Sequence, residues 1–241
     1  MQHAWIAAAL HPFAEHRVSS LVPPVFDAYA RVFHPAVRYA DDDWLDDDDG
    51  PLPPDEEVTW AEVAAFNGRT AHAAMEWASI TGSWEFRGSD DQPGMWNDAP
   101  AEGHLPVSVA SRLAAVLSRH TTTPDDCWFG LWDGFGHTPA TELTLDLRSR
   151  EYWLLRGRVD LAATNLADEP AEQGPNLWWP ADRSWFVATD IDLMTTYVGG
   201  DAACIADLLA ADGLEVAQVP ADQRTTWDAD TINPPPLGAA D

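Results

Sequence analysis

The sequence predicts an α+β fold, with helices packed on one face of a mainly antiparallel sheet. Two observations carry the prediction. Helix-period apolar patterns with capping residues dominate the first half of the chain, and alternating apolar and aromatic runs bounded by turn residues dominate the second. Elements segregated in that order place helices against one side of an antiparallel sheet. The reading is one domain over residues 1–232, helix-rich over 1–120 and strand-rich over 121–219, with a disordered, proline-containing tail at 233–241. No internal repeat is visible.

Within residues 1–22 the short apolar runs AWIAAAL and VSSLV read as strands or buried extended segments. Pro23-Pro24 then opens a helix, proline being acceptable at the first helical position. In VFDAYARVF, residues Val25, Tyr29, Val32 and Phe33 fall on one face at i, i+4, i+7 and i+8, and Pro35 ends the run. DDDWLDDDDGPLPPDEE is a charge run with prolines, hence a solvated loop. Thr59 with Glu62 is a capping box before WAEVAAF, Asn67-Gly68 ends that helix, and Thr70 can cap a second one through HAAMEWASI. SWEFR is a short strand in an otherwise irregular stretch.

Pro106 starts the clearest helix, with Val109, Leu113, Val116 and Leu117 as its apolar stripe and Arg119 and His120 at its negative end. CWFGLW, TELTLDL, EYWLLRG, SWFVATD and DLMTTYV are strand candidates, the first bounded by the turn DGFG. Asp160 can cap a short helix to Ala167. Gly199-Gly200 turns the chain, Asp201 caps AACIADLLAA, and LEVAQV is a last strand.

The composition bounds function. The formal charge is −27 over 241 residues, and all 13 basic residues are arginine. Such a surface repels nucleic-acid backbones and anionic membranes, because no cationic face of adequate size exists to release counterions. It can attract a basic protein, or serve solubility alone. No run of 18 apolar residues exists, and the N-terminal MQHAWIAAALHPFAEH lacks the basic flank of a secretory signal. Cys127 and Cys204 stand apart without companion spacing, as buried thiols in a reducing, cytoplasmic compartment.

Candidate site residues come from three clusters. In PNLWWPADRSWFVATDID the pair Trp178 and Trp179 precedes a proline and reads as the loop entering a strand, where aromatics can face a ligand or pack into the core. Asp182 and Arg183 follow as a loop-pinning pair or a binding element. Trp185 and Val187 share one face of the next strand while Phe186 and Ala188 share the other, which marks a strand covered on both sides. Asp190 and Asp192, in extended chain, would hold their carboxylates about 7 Å apart on one face. That separation suits acid and base flanking a glycosidic bond, a hard cation, or a plain solvated face. Arg148, Arg150, Arg156 and Arg158 are the one cationic concentration. They can hold a phosphate or carboxylate, or neutralise acids across the sheet.

Other chemistry is absent from the pattern. Setting Gly50 as the sixth position of a calcium loop puts Leu45 at the first ligand position, so the match fails. The eight histidines show no metal spacing, and there is no phosphate loop, dinucleotide fingerprint or nucleophile elbow. No cofactor or metal is expected. GGDAA at 199–203 lacks the acid and aromatic of a diguanylate-cyclase turn.

SLVPPVFDAYARVFHPA, WAEVAAFNGRTAH, CWFGLWDGFG and PNLWWPADRSWFVATDIDLMTTYVGG together resemble an uncharacterised family of actinobacterial proteins, over roughly residues 18–232. That resemblance implies a soluble protein and brings no activity. The helix leading into CWFGLWDGFG, the strands that follow and the late helix after GGD resemble, at fold level, the SUKH superfamily. It is α+β and includes many immunity proteins that bind toxins. LPVSVASRLAAVLSRHTTTPDD lacks the Asn-Gly-Gly-type turn expected before the first strand of that superfamily.

The expectation is a non-catalytic binding factor, of immunity or anti-toxin type, that meets another protein bearing a basic surface, with no nucleic acid and no membrane as partner. The alternative is a tryptophan-lined small-molecule or carbohydrate site, with hydrolase chemistry, built from Trp178, Trp179, Asp182, Arg183, Asp190 and Asp192.

Overall fold

The computed structural model describes residues 3–39, 55–87, 91–136, 141–147, 150–167 and 172–237. In chain order its elements are α1 (Ala4–Ala9), α2 (Val18–Leu21), β1 (Ala28–Phe33), β2 (Ala36–Arg38), β3 (Glu56–Val58), α3 (Trp60–Phe66), α4 (Trp77–Thr81), α5 (Val107–Leu117), β4 (Cys127–Trp132), β5 (Thr144–Asp146), β6 (Glu151–Gly157), β7 (Leu177–Pro180), β8 (Phe186–Thr189), β9 (Thr195–Gly200), α6 (Ala202–Leu209) and β10 (Val216–Val219). They form two compact units. The first holds Met1–His34 with Glu102–Thr226, and the second holds Pro35–Ala101 with Trp227–Asp241. No helix among the described residues is long and apolar enough to cross a membrane.

The first unit is built on an eight-stranded sheet in the order β10-β1-β9-β8-β7-β4-β6-β5, with antiparallel pairing throughout. This is the expected α+β architecture. Helices α5 and α6 lie against one face. Their stripes of Val109, Leu113, Val116 and Leu117, and of Cys204, Ile205 and Leu208, meet Ala30, Val32, Phe129, Trp178, Trp185, Val187 and Val198. Asp201 caps α6 by accepting a hydrogen bond from the Cys204 amide at 2.7 Å.

The N-terminal segment covers the opposite face, and here the sequence reading is corrected. AWIAAA is helix α1 and VSSL is a single turn, α2; neither is a strand. Alanines favour helix, and a run of six residues is too short for the period to declare itself. The ring of Trp5 in α1 lies 5.9 Å from that of Phe186.

A second correction concerns AYARVF, expected to be helical and found as β1. It pairs with β9 on one side and β10 on the other, and all six residues are buried. Its alternation puts Ala30 and Val32 toward the helices, and Tyr29, Arg31 and Phe33 the other way. A strand buried on both faces loses the polar–apolar contrast, so its apolar positions can also satisfy a helical spacing. Gly199 and Gly200 likewise belong to the end of β9, and Trp178 and Trp179 to β7.

The second unit packs a tryptophan cluster. Trp60 and Trp77, and Trp77 and Trp96, have ring centroids 5.3 Å apart. The Thr59–Glu62 capping box forms as expected before α3. SWEFR is a 3₁₀ turn instead of a strand, and the helix expected from Thr70 is limited to α4. The proline-containing end is attached over 233–237: Asn233 accepts from the Thr70 amide and donates to the Thr70 carbonyl, and Leu237 pairs with Ser83. Most of the acidic loop, 40–54, and residues 238–241 lie outside the described residues.

Candidate functional site

The structure places the three tryptophans of the opening cluster in the interior. Trp178 and Trp179 are each 1% exposed and Trp185 is 0% exposed. Consecutive strand residues point to opposite faces, so the pair separates. Trp178 meets Trp185 edge-on at 5.6 Å on the α5–α6 face, while Trp179 stacks on Phe186 at 5.5 Å on the other. The Trp185 indole N–H donates to the Leu117 carbonyl at 3.0 Å, which ties β8 to the end of α5.

Asp182 pins the turn between β7 and β8. It accepts from the Thr121 hydroxyl, from the Thr122 amide and hydroxyl at 2.7 Å each, and from the Ser184 amide at 3.1 Å. Burial pushes its carboxyl up, but these donors outweigh that and hold it below the usual carboxylate range. Arg183 takes the left-handed conformation, with φ of 60°, and its guanidinium lies 5.2 Å over the Trp5 ring.

The arginine concentration meets acids. Arg156 donates to both oxygens of Asp126, at 2.6 and 2.7 Å, and lies over Trp128. Arg158 reaches Asp125 at 2.7 Å and Asp160 at 3.4 Å. Arg148 lies outside the described residues.

Arg150 is the member that joins two of the candidate clusters. Its Nη1 donates to Asp190 Oδ2 at 2.7 Å and its Nη2 to Asp192 Oδ2 at 3.0 Å. Strand β8 ends at Thr189, and the Asp192 amide donates to Asp190 Oδ1 at 3.1 Å. The chain therefore turns at Asp-x-Asp, where extended chain was expected, and both carboxylates converge on one cation. The side chains of Arg150 and Asp190 are 13% and 8% exposed, while that of Asp192 is 69% exposed. Burial pushes the Asp190 carboxyl up against the pull of Arg150 and the Asp192 amide. Beside them, burial pushes the Tyr152 phenol up to about 12, so it stays protonated at neutral pH.

This cluster forms one end of a hollow of about 50 Å³. Leu10, Phe13 and Leu21 of the N-terminal segment roof it, and Leu177 and Ala188, paired across β7 and β8, floor it. The Arg150 guanidinium lies 5.1 Å from the Phe13 ring centroid. The sequence reading missed the roof entirely, because its residues lie well over a hundred positions from the floor and carry no motif. One signal was present: Gly130, inside the strand CWFGLW. A side chain there would crowd the Leu177 Cβ at 3.3 Å and touch the Tyr152 Cβ at 3.5 Å. Interior strand glycines mark such close approaches.

Against this geometry, no family model, curated protein or solved structure matches the chain. Among the described residues, no group of three or more His, Cys, Asp or Glu side chains could hold a metal ion.

Proposed function

We propose that this protein is a non-catalytic acidic factor that binds another protein through that partner's basic surface, with an immunity or anti-toxin role as the narrower form. The observation that carries the reading is at the β5 edge of the sheet. There Asp146 and Glu151 stand directly opposite each other across β5 and β6, both exposed. Like charges in that position cost stability, and a basic group seated between them turns the cost into a gain.

The arginines add support. Arg38, Arg119, Arg150, Arg156 and Arg158 are each bound to Asp or Glu. Arg17 and Arg112 donate to the backbone carbonyls of Asp222 and Gly213. These cationic groups are thus matched by carboxylates or carbonyls, while Asp133, Glu142, Asp212 and Asp222 are exposed to solvent. The groups most suited to covalent or acid–base chemistry, the two thiols and the Asp190 carboxyl, are buried or held by ion pairs.

The test is association with a basic protein of known structure, hen lysozyme as the first probe, followed by biolayer interferometry. Association is expected to slow about tenfold between roughly 50 and 500 mM NaCl, and to slow again in D146N/E151Q. Association indifferent to both salt and that double substitution overturns the reading.

A further inference from the structure

We propose that the hollow between the N-terminal segment and the sheet binds a small neutral molecule with an aliphatic body and one hydroxyl or carboxamide head. Its lining residues Leu147, Arg150 and Tyr152 adjoin Asp146 and Glu151 of the acidic edge, but the proposal does not depend on that edge.

Size sets the first limit. A hollow of about 50 Å³ has room for a few waters' worth of ligand, roughly four to six non-hydrogen atoms. Its walls set the second. Leu10, Phe13 and Leu21 above and Leu177 and Ala188 below offer apolar surface to the body of such a molecule. The polar side chains of the lining are Arg150, Tyr152 and Asp190 together with His11, Ser20 and Thr189.

Charge sets the third limit and selects the head group. Arg150 is already matched by Asp190 and Asp192. An entering carboxylate or phosphate would give up its hydration beside Asp190 with no unmatched cation to replace it. An ammonium would lose its hydration where the lining carboxylate, Asp190, already accepts from Arg150 and from the Asp192 amide. A hydroxyl or carboxamide escapes both penalties: it accepts from a guanidinium N–H and donates to a carboxylate oxygen at once.

The hollow is held open by hydrogen bonds, not by slack chain. The Val18 and Ser19 amides donate to the Gln223 and Ala221 carbonyls at 3.0 and 2.8 Å, and the Thr225 amide donates to the His16 carbonyl at 2.9 Å. Within the roof, the His11 amide donates to the Ser19 carbonyl at 2.9 Å. Below, Gly130 lets β4 lie close to Leu177, whose Cβ a side chain at position 130 would crowd at 3.3 Å. A preformed site of this kind binds without first ordering its walls.

The experiment titrates the full chain with isobutyramide, and in parallel with isobutyrate and isobutylammonium, which have the same aliphatic body. Backbone amide shifts are followed by NMR. Isobutyramide is expected to saturate shifts across Leu10–Leu21 and at Leu177 and Ala188, with the two ions weaker by about tenfold or more. A7L, which adds bulk to the roof from a half-buried helical position, is expected to remove that saturation while the melting temperature is retained. A linear response to isobutyramide overturns the proposal. So does equal binding of either ion, or unchanged affinity in A7L; if A7L does not fold, the comparison of the three probes on the native chain decides alone.

Discussion

The Arg150 guanidinium spans Asp190 and Asp192, donating to Asp190 Oδ2 at 2.7 Å and to Asp192 Oδ2 at 3.0 Å. One cation at the start of β6 thereby fixes the turn that leaves β8. The two bonds are unequal in worth, because Asp190 is 8% exposed and Asp192 is 69% exposed. R150M leaves a buried carboxylate without its partner and is expected to cost about 3–5 kcal/mol. D192N, at a solvated position, is expected to cost about 1 kcal/mol or less. Chemical denaturation with unchanged m-values gives both numbers, and equal losses would refute the assignment of Asp190 as the structural partner.

Trp185 couples helix to sheet through its bond to the Leu117 carbonyl. W185F removes the donor, strands that carbonyl at the end of α5, and leaves a gap in a fully buried site. A loss of about 2–4 kcal/mol is expected. The urea midpoint measures it, and a loss within about 0.5 kcal/mol would show that the indole N–H contributes nothing.

The thiols offer a direct probe of burial. Burial pushes Cys127 and Cys204 each up to about 12, with nearby carboxylates adding to the effect. Both are therefore protonated and shielded at neutral pH. A disulfide reagent is expected to label neither in the native protein and both in denaturant. Rapid native labelling of one would place that thiol at the surface.

Asp230 should govern the acid limb of the second unit's stability. Its side chain is fully buried; burial pushes the carboxyl up, yet the Asn233 side chain and amide, the Ile232 amide and the His72 charge together hold it below the usual range. A carboxyl depressed in the folded state adds stability above its unfolded value of about 3.9, and that stability is lost as pH falls through the folded value. Melting temperature is thus expected to fall below about pH 4, and to fall less steeply in D230N, which should already have lost about 1.5–3 kcal/mol at neutral pH. Parallel curves for the two proteins would remove Asp230 from the account.

Much of the fold was readable where local chemistry acts alone. The Thr59–Glu62 box, the Asp201 cap, the stripe of α5 and the strands CWFGLW and EYWLLRG each depend on neighbours in sequence. The two-faced character of Trp185 through Ala188 was equally legible, because alternation is a property of any extended chain. The failures lie where the partner is distant. AYARVF could be told from a helix only by knowing that β9 and β10 flank it. Of the candidate site, Arg150, Asp190 and Asp192 were singled out as members of separate clusters, and nothing in their spacing linked them.

By itself the sequence determined the α+β class, the Thr59–Glu62 and Asp201 caps, the two-faced burial of Trp185 through Ala188 and a formal charge of −27. Tertiary structure alone decided that Trp178 and Trp179 turn away from solvent on opposite faces, that one arginine answers two aspartates, and that residues 10–21 roof a hollow over β7 and β8. The physical reason is the range of the forces involved. Propensity, capping and periodicity act within a few residues, whereas ion pairing and burial depend on contacts that chain folding brings together from any separation.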